Sequence, residues 1–352
     1  MKPFAFTRPA DAADAVRTAA SHPGAVFLAG GTNLVDHLKL GVAQPDLVID
    51  IRAVMSRDVT DTEDGGLRIG AAVTNSELAA DRRVRERYPV LAQALLAGAS
   101  GQLRNMATVG GNPLQRTRCV YFQDVTTACN KRQPGTGCAA IGGYTRHHAI
   151  LGVPGEPDPA APGTCIATHP SDMAVALTAL GARVLTEGPG GAREIPFEQL
   201  HRLPGDDPSR DTVLDHAELI TAIDLPALLP GTRSAYRKVR DRASYAFALA
   251  SAAAAVTVDG GLVSSARIAL GAVAHKPWRA ARAEEVLLGR PPGDEAFRTA
   301  AEAELATARP QPGIDGGNGF KTALTARTIV AVLRELTAPA RRETPGGTGD
   351  PQ

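Results

Sequence analysis

The placement of the cysteines constrains this chain more than any other feature. All four lie in one stretch of a 352-residue chain, at Cys119, Cys129, Cys138 and Cys165. The stretch begins directly after the turn sequence Thr108-Val109-Gly110-Gly111-Asn112. Four thiolates are the ligand set that an iron–sulfur cluster or a structural zinc ion requires, because soft metals favour sulfur donors. The sequence therefore predicts a soft-metal site built onto a cofactor-binding loop.

The cysteine spacing favours a cluster over zinc. Nine, eight and 26 residues separate successive cysteines. Structural zinc sites usually include one pair of cysteines only about two to four residues apart, and this sequence has no such pair. Zinc, disulfides and free thiols stay open as alternatives. Disulfides are disfavoured because the chain has no secretory signal, although a folded complex can be exported with a partner.

Composition excludes several classes of function. With 38 basic and 37 acidic side chains the formal charge is +1, so neither a nucleic acid nor a membrane surface is predicted as a partner. The longest apolar run, at 246–258, is interrupted by Ser251 and Thr257 and predicts a buried element. The N-terminus lacks the apolar stretch of a secretory signal. We expect a cytoplasmic protein, or a periplasmic one that is exported together with a signal-bearing partner subunit.

The hydrophobic pattern predicts an α+β protein with three structured regions. Residues 1–58 form a first subdomain and residues 59–228 a second, which is interrupted by the cysteine-bearing insert 113–168. Residues 232–338 form a third region, and the tail 341–352, rich in Gly, Pro and Thr, is predicted to be disordered. The predicted helices are 10–20 (with Asp11 as N-cap), 89–99, 171–180, 277–288 and 320–336, and the predicted strands are 25–29, 47–51, 67–70, 182–186, 235–236 and 265–270.

Two glycine turns are candidates for binding an anion. They are Ala29-Gly30-Gly31-Thr32-Asn33 and Val109-Gly110-Gly111-Asn112. Consecutive glycines let backbone N–H groups converge without interference from Cβ atoms, so two facing turns predict a clamp for a dinucleotide pyrophosphate, to which the hydroxyls of Thr32 and Thr108 add donors. Taken alone, either turn is better explained as an ordinary end of a strand, so the prediction needs both. The G-x-G-x-x-G fingerprint of the Rossmann fold is absent.

Four sequence blocks follow one another along the chain. They are Leu28-Ala29-Gly30-Gly31-Thr32-Asn33-Leu34, Arg104-Asn105-Met106-Ala107-Thr108-Val109-Gly110-Gly111-Asn112, Pro170-Ser171-Asp172-Met173-Ala174 and Tyr236-Arg237-Lys238-Val239-Arg240-Asp241-Arg242-Ala243-Ser244. With these blocks in this order, the chain resembles the FAD-binding (medium) subunit of the xanthine dehydrogenase and molybdenum hydroxylase family over residues 3–338. The resemblance implies two α+β subdomains of the PCMH type with FAD between them, followed by a C-terminal domain with a small antiparallel sheet and helices.

The resemblance also implies roles for individual residues. Asp172 corresponds to an acidic contact with the ribose or ribityl hydroxyls, and Ile220 and Lys238 correspond to positions that line the flavin ring. Ile220 is otherwise a simple core residue and Lys238 a solvated lysine. Pro113 departs from the leucine of many relatives and removes one donor beside the second loop. The loops on the FAD pyrophosphate correspond to Phe27, Leu28, Ala29, Gly30, Gly31, Thr32, Asn33, Leu34 and Val35, and to Thr108, Gly110, Gly111 and Asn112.

The cysteine segment is similar to one branch of that family, the FAD subunits of periplasmic aldehyde oxidoreductases. The resemblance to this branch implies that Cys119, Cys129, Cys138 and Cys165 hold a 4Fe-4S cluster. Of the histidines nearby, His169 is expected to be a turn residue and His147-His148 a polar surface or a feature beside the cluster. The basic residues of the segment either surround the cluster or form a solvated loop; they are Arg116, Arg118, Lys131, Arg132 and Arg146.

The sequence predicts an electron relay without catalytic residues of its own. It contains no Ser-His-Asp set and no signature of a metal-activated water. The resemblance implies an oxidoreductase subunit with FAD and a 4Fe-4S cluster, in a heterotrimer with a 2Fe-2S ferredoxin-like subunit and a molybdenum cofactor subunit. Two other functions stay open: a non-catalytic scaffold stabilised by zinc or a cluster, and a stand-alone flavin oxidoreductase.

Overall fold

Three β-sheets organise the chain. The computed structural model describes residues 1–338, so the disordered tail predicted at 341–352 lies outside the described residues. The sheets have three, five and four strands, and helices pack against them. The predicted mixed helix-and-sheet class, with an antiparallel sheet in the C-terminal part, is confirmed. Within residues 1–338, no helix combines the length and the apolar character needed to cross a membrane.

The first sheet is parallel, and helices connect its strands. Its elements are β1 (Ala5–Thr7), α1 (Ala12–Ala20), β2 (Ala25–Leu28), α2 (Leu34–Leu40) and β3 (Leu47–Asp50). The strand order is β1-β3-β2. As predicted, Asp11 caps α1, because its carboxylate accepts a hydrogen bond from the backbone N–H of Asp14 at 2.7 Å. The first glycine turn leaves the carboxyl end of β2, which is where ligands bind in parallel sheets.

The second sheet is antiparallel, in the order β4-β5-β8-β6-β7. The second glycine turn lies directly before the single 3₁₀ turn of this part of the chain. The elements are β4 (Val59–Asp61), β5 (Leu67–Gly70), α3 (Asn75–Ala80), α4 (Arg82–Arg87), α5 (Pro89–Ala97), α6 (Gly101–Arg104), a 3₁₀ turn (Asn112–Leu114), α7 (Val120–Gln123), α8 (Asp172–Leu180), β6 (Arg183–Gly188), β7 (Gly191–Pro196), α9 (Phe197–Leu200) and β8 (Leu219–Leu225).

The third sheet is also antiparallel, in the order β12-β11-β10-β9. Its central hairpin turns at Gly260 and Gly261, whose φ angles of 56° and 79° match the left-handed turn that suits a two-residue hairpin. The elements are β9 (Arg233–Val239), β10 (Ala250–Asp259), β11 (Leu262–Gly271), β12 (Trp278–Arg279), α10 (Ala281–Leu287), α11 (Asp294–Leu305) and α12 (Phe320–Thr337).

Helix α8 joins the second and third sheets. Ser171 caps it, because the Ser171 hydroxyl accepts a hydrogen bond from the backbone N–H of Ala174 at 2.9 Å. Every residue of α8 is buried, and the helix packs against α5, β10 and β11. Alanines dominate the middle of β10, so helices approach this strand closely. The helix that carries Asp172 is therefore held in place by contacts with both the second and the third region of the chain.

Most predicted elements are present, with one correction. The helix predicted at 277–288 begins only at Ala281, because Trp278 pairs with Leu270 in the third sheet and donates its indole N–H to Glu304 at 2.7 Å. The apolar run at 246–258 is mostly β10 and is buried, as expected. Strand β7 was missed because four of its six residues are exposed, so it lacks an alternating pattern.

The cysteine segment between α7 and α8 is held together by backbone hydrogen bonds within turns and by buried side chains, since the described chain has no helix or strand there. The side chain of Asn130 is fully buried and makes four hydrogen bonds. Its amide N–H groups donate to the carbonyls of Ala161 and Thr164, and its oxygen accepts from the backbone N–H groups of Gly135 and Gly137. One amide side chain thus satisfies backbone groups from separate turns of the segment.

A buried lysine links the C-terminal domain to this segment. The ammonium group of Lys321, on α12, donates to the carbonyl of His148 at 2.8 Å and to the carbonyl of Ala272 at 2.5 Å. The side chain of Asn318 donates to the same His148 carbonyl at 3.1 Å. Lys321 is fully buried, and burial lowers its pKa from 10.5 to about 7. Folding therefore removes a proton from this amine in the pH range between those two values.

We expect the free energy of unfolding to rise with pH across that range. The unfolded chain binds more protons there than the folded chain, and one such group contributes up to about 1.4 kcal/mol per pH unit. Lys321→Met removes the titrating group, so it should flatten the rise. Urea titrations between pH 7 and 9, followed by the fluorescence of the single tryptophan Trp278, measure the slope. The control is Lys39→Met at an exposed lysine. Equal slopes in wild type and Lys321→Met would contradict the assignment.

Candidate cofactor sites

A cavity of about 1040 Å³ lies where the two glycine turns face each other. It exceeds most small-molecule pockets, which span about 300–1,000 Å³. All residues predicted from the resemblance to contact FAD line this cavity except Leu28. The structure thus brings together Phe27, Ala29, Gly30, Gly31, Thr32, Asn33, Leu34, Val35, Thr108, Gly110, Gly111, Asn112, Asp172, Ile220 and Lys238.

The first glycine turn packs against the residues that come directly before the second glycine turn. A Cβ atom at Gly30 would lie 1.9 Å from the carbonyl oxygen of Met106, so only glycine fits there. Gly31 has a φ of 73°, in the left-handed region that favours glycine. The carboxamide oxygen of Asn33 accepts a hydrogen bond from the backbone N–H of Arg116 at 2.9 Å. The turn is therefore held at both ends by distant parts of the chain.

The second glycine turn is held by the hydroxyl of Thr108 at its start and by the segment that follows β5. The Thr108 hydroxyl accepts a hydrogen bond from the backbone N–H of Gly111 at 3.2 Å. The backbone N–H of Gly110 donates to the carbonyl of Ala71 at 2.9 Å. Ser171, the cap of α8, donates its hydroxyl to the side-chain oxygen of Asn112 at 2.5 Å. The Thr108 hydroxyl therefore supports its own loop.

Asp172 and Lys238 form a buried ion pair in the cavity wall. The Lys238 ammonium donates to Asp172 at 2.8 Å and to the carbonyl of Ala97 at 3.1 Å. The hydroxyl of Tyr236 also donates to Asp172, and burial, followed by the charge of that carboxylate, raises the pKa of Tyr236 well above its usual range. The Lys238 side chain is only 5% exposed, so the interpretation as a solvated lysine is wrong. Ile220 is both a core residue of the second sheet and part of the cavity lining.

Several cavity residues were not predicted from the sequence. Arg116 and Arg118 were expected near the cysteines but line this cavity, and Arg118 stacks on the ring of Phe247 at 5.1 Å. His37 also lines it, and burial, followed by the charge of Arg116, lowers the pKa of His37 to about 4. No local pattern marks these residues, because their positions depend on contacts between remote segments. Tyr245 is the one exception, since it follows the Ala243-Ser244 end of the fourth family block.

The four cysteines line one small enclosed space. The space is about 10 Å³ in volume, and the fully buried ring of Phe122 forms part of its wall. All four are free thiols. Among residues 1–338, no three His, Cys, Asp or Glu side chains gather closely enough to hold one metal ion. Burial raises the pKa of Cys119 and of Cys165 to about 12 and also raises that of Cys138. These thiols therefore need a positive centre to ionise.

The histidines near the cysteines have three different environments. His147 is exposed, whereas His148 is buried and its Nε2 lies 3.2 Å from the sulfur of Cys119. His169 is buried as well, and the description of it as a simple turn residue is incomplete. The Nε2 atoms of His169 and His201 approach the carbonyl oxygen of Pro113 at 3.1 and 2.8 Å. Pro113 contributes no N–H group, but its carbonyl ties the second loop to both rings.

The basic residues of the cysteine segment make specific contacts. Lys131 is buried and forms an ion pair with Asp211, which Arg116 also contacts at 2.6 Å. Arg132 donates to backbone carbonyls, and Arg146 pairs with Asp241 at 2.6 Å. The alternative of a solvated basic loop is therefore wrong for most of these residues. Burial would raise the pKa of Asp211, but Lys131 and Arg116 outweigh it and hold that pKa well below its usual range.

Two family profiles together match almost the whole chain. The FAD binding domain in molybdopterin dehydrogenase matches residues 2–228, and the CO dehydrogenase flavoprotein C-terminal domain matches residues 234–336. The aldehyde oxidoreductase FAD-binding subunit PaoB of Escherichia coli is 48% identical over 97% of this chain and 100% of its own length. The glyceraldehyde dehydrogenase medium chain of Sulfolobus acidocaldarius is 26% identical over 94% of this chain and 95% of its own.

The fold also matches solved structures. A chain of the carbon monoxide dehydrogenase from Hydrogenophaga pseudoflava superposes with a TM-score of 0.73 at 27% identity. The match covers 96% of this chain and 98% of that one. The two domains therefore occur together, in this order, in an enzyme whose structure has been solved.

Gly30→Ala should weaken FAD binding. Its Cβ atom would overlap the Met106 carbonyl, and overpacking of this kind costs about 1–3 kcal/mol, which corresponds to a rise in Kd of about tenfold to a hundredfold. Titration of the deflavinated protein with FAD, followed by the quenching of flavin fluorescence, measures this Kd. Gly101→Ala is the matched control, because a Cβ atom there has no neighbour within 4 Å. An unchanged Kd in Gly30→Ala would show that this contact does not shape the site.

Asp211→Asn should destabilise the fold by about 3 kcal/mol, the low end of the cost of removing one partner from a buried ion pair, because the Asp211 side chain is itself 29% exposed. Lys131 would keep a buried charge without a counterion. Urea denaturation at neutral pH measures the loss, and Asp206→Asn is the control at an exposed acid of the same loop. Equal midpoints for the two variants would mean that Lys131 finds its compensation elsewhere.

Proposed function

Because the chain belongs to the FAD-binding medium subunits of the xanthine dehydrogenase and CO dehydrogenase family, we propose that it is the electron-transfer subunit of a molybdenum-dependent aldehyde oxidoreductase. In this proposal it carries FAD and a 4Fe-4S cluster. One observation carries it: a cavity lined by both glycine turns and an enclosed space lined by all four cysteines occur in the same chain. The identity of 48% to an aldehyde oxidoreductase subunit favours an aldehyde as the substrate of the complex.

The cavity fits FAD in size and in chemistry. Its two glycine turns line the interior, and they pack so closely on neighbouring chain that a Cβ atom at Gly30 or Gly110 would clash with it. Residues 27–35 and 108–112 would hold the pyrophosphate, with Arg116 and Arg118 contributing positive charge to the same cavity. Flavin supplies the exchange of electrons between one-electron and two-electron partners. The role of the chain is to bind and orient it.

Asp172 and Lys238 would act on FAD as a pair. Each Asp172 oxygen already accepts one hydrogen bond, from Tyr236 or from Lys238. A carboxylate has about four acceptor positions, so both oxygens keep capacity for a ribose or ribityl hydroxyl. The pair fixes the Lys238 ammonium in the cavity wall, where Ile220 adds an apolar contact. A held ammonium can stabilise negative charge on the reduced ring.

The donor set at the cysteines fits a 4Fe-4S cluster. All four thiols of the chain line one space, and burial raises the pKa of Cys119, Cys138 and Cys165, so these three ionise only beside positive charge. Zinc would draw its sulfur ligands to about 2.3 Å from one point, whereas a cubane holds its thiolates at four separate iron corners. Apart from Tyr121 and Phe122 in the short helix α7, the walls of the space are turns. The fit therefore rests on the four donors rather than on the volume of the space.

The proposal extends to organisation and partners. We propose subdomains at 1–58 and 59–228 and a C-terminal domain at 232–338, each containing one of the three sheets. Electrons would come from a 2Fe-2S subunit, which receives them from a molybdenum subunit, and would leave to an external acceptor. The compartment follows from the partners, cytoplasmic or periplasmic by co-export, and cell fractionation of the complex decides it.

Anaerobic absorption spectroscopy with iron, sulfide and zinc analysis tests the proposal on the purified protein. We expect flavin absorbance together with roughly four iron and four sulfide per chain. Zinc without flavin would replace the proposal with the scaffold. Aldehyde or NADH oxidation by the chain without other subunits would replace it with a stand-alone flavin enzyme.

Cys129→Ser should lose the cluster and keep FAD, because a hydroxyl is a poor donor to soft metals. The same analysis measures both cofactors in one sample. The control is Gln133→Ala, at an exposed residue of the same loop. Loss of FAD from Cys129→Ser in parallel with iron would show that the two sites form one folding unit.

A further inference from the structure

One imidazole ring reaches a cysteine sulfur. The Nε2 atom of His148 lies 3.2 Å from the sulfur of Cys119. Among the side chains of residues 1–338, His148 alone is within hydrogen-bonding distance of a cysteine sulfur. The ring is only 4% exposed, so water does not compete for this contact. The sulfur of Cys119 therefore has a different environment from the sulfurs of the other three cysteines.

The backbone of His148 is fixed from both sides of the fold. Its N–H donates to the carbonyl of Thr145 at 2.9 Å, within the cysteine segment. Its carbonyl accepts from Lys321 at 2.8 Å and from Asn318 at 3.1 Å, both from the C-terminal domain. Three hydrogen bonds thus hold the residue while the ring projects to the sulfur. The position of the ring is set independently of Cys119.

The direction of the hydrogen bond follows from the chemistry of the two partners. A metal-bound thiolate has no proton and only accepts, so the ring must donate. Nδ1 of His148 has no partner in the described part of the chain. A neutral imidazole carries one N–H, and an unpaired acceptor at Nδ1 costs less than an unpaired buried donor. The proton therefore belongs on Nε2, directed at the sulfur.

We propose that His148 donates Nε2–H to the Cys119 thiolate and thereby raises the reduction potential of the iron–sulfur cluster. The inference rests on the cluster of the proposed function. Reduction adds one negative charge that is shared by the iron atoms and their thiolates, so a hydrogen bond to sulfur is stronger in the reduced state. Hydrogen bonds to the sulfurs are among the factors that set the potentials of such clusters. His148 is then a positioning residue whose effect is read in the potential.

Three substitutions separate this role from simple packing. His148→Leu fills the space without a donor. His148→Gln places an amide N–H at the distance of Nε2 and should restore the hydrogen bond. His148→Asn keeps an amide but is one bond too short to reach the sulfur, so it repeats the test if the leucine variant does not retain its cluster. The control is His147→Leu at the exposed neighbouring histidine.

The measurement is a redox titration of the cluster by low-temperature EPR, on the protein purified together with its partner subunits. We expect His148→Leu and His148→Asn to disfavour reduction about tenfold, which corresponds to about 59 mV for one electron. His148→Gln should recover at least half of that shift, and His147→Leu should titrate like wild type. Pulsed EPR after exchange into D₂O should detect exchangeable backbone amide protons near the cluster in every variant, and one additional exchangeable proton in wild type and His148→Gln.

The possible results are distinct. If iron and sulfide stay at wild-type levels and neither His148→Leu nor His148→Asn shifts the potential, the inference is wrong while the proposed function stands. A shift that His148→Gln does not reduce would show a packing effect and would also overturn it. Wild-type protein without iron and sulfide would overturn the proposed cluster and this inference together.

Discussion

The ion network around Asp211 connects the parts of this molecule that the chain itself separates widely. Lys131 lies in the cysteine segment, Arg116 lies shortly after the second glycine turn, and Asp211 lies in the connection before β8. The backbone N–H of Arg116 also donates to the side chain of Asn33 in the first glycine turn. The half-buried carboxylate of Asp211 supplies the counter-charge that offsets the cost of burying the Lys131 ammonium. One set of contacts therefore orders both glycine turns and the segment that bears the cysteines.

Sequence reasoning found what local patterns encode. The cap at Asp11, the turns at Gly30 and Gly110, and the grouping of the cysteines each depend on a few neighbouring residues, and the structure shows all of them. It misplaced what depends on distant pairing. Arg116 reads as one of several charges beside cysteines, yet its partner Asp211 is 95 residues away. Lys238 reads as solvated in isolation, because the burial of its ammonium beside Asp172 is a property of the assembled cavity.

The polar groups around the two sites have a common character. In the cavity wall Asp172 is paired with Lys238, while the buried rings of His148, His169 and His201 lie beside Cys119 and the second glycine turn. Burial lowers the pKa values of these three histidines, so at neutral pH each is uncharged and holds a single N–H. Neutral donors can hydrogen-bond to carbonyl groups and thiolates without adding further buried charge. Such surroundings would suit the anionic cluster of the proposed function as well as an anionic cofactor.

The cysteine segment also contacts the loop that closes the cavity, residues 240–247. Arg118, adjacent to Cys119, stacks on Phe247, and Arg146, two residues before His148, pairs with Asp241. Arg118, which is next to Cys119, contacts one end of the loop. Arg146, which is close to the hydrogen-bond donor His148, contacts the other end. The segment has no helix or strand between α7 and α8 in the described chain, so backbone turns and the buried Asn130 side chain hold it, and ligation of a metal centre would add to its rigidity. In the proposed function, ligation by the four cysteines would therefore further restrain the two arginines, and through them residues 240–247 beside the flavin cavity. The proposed cluster would then contribute to the shape of the flavin site whether or not electrons pass through it.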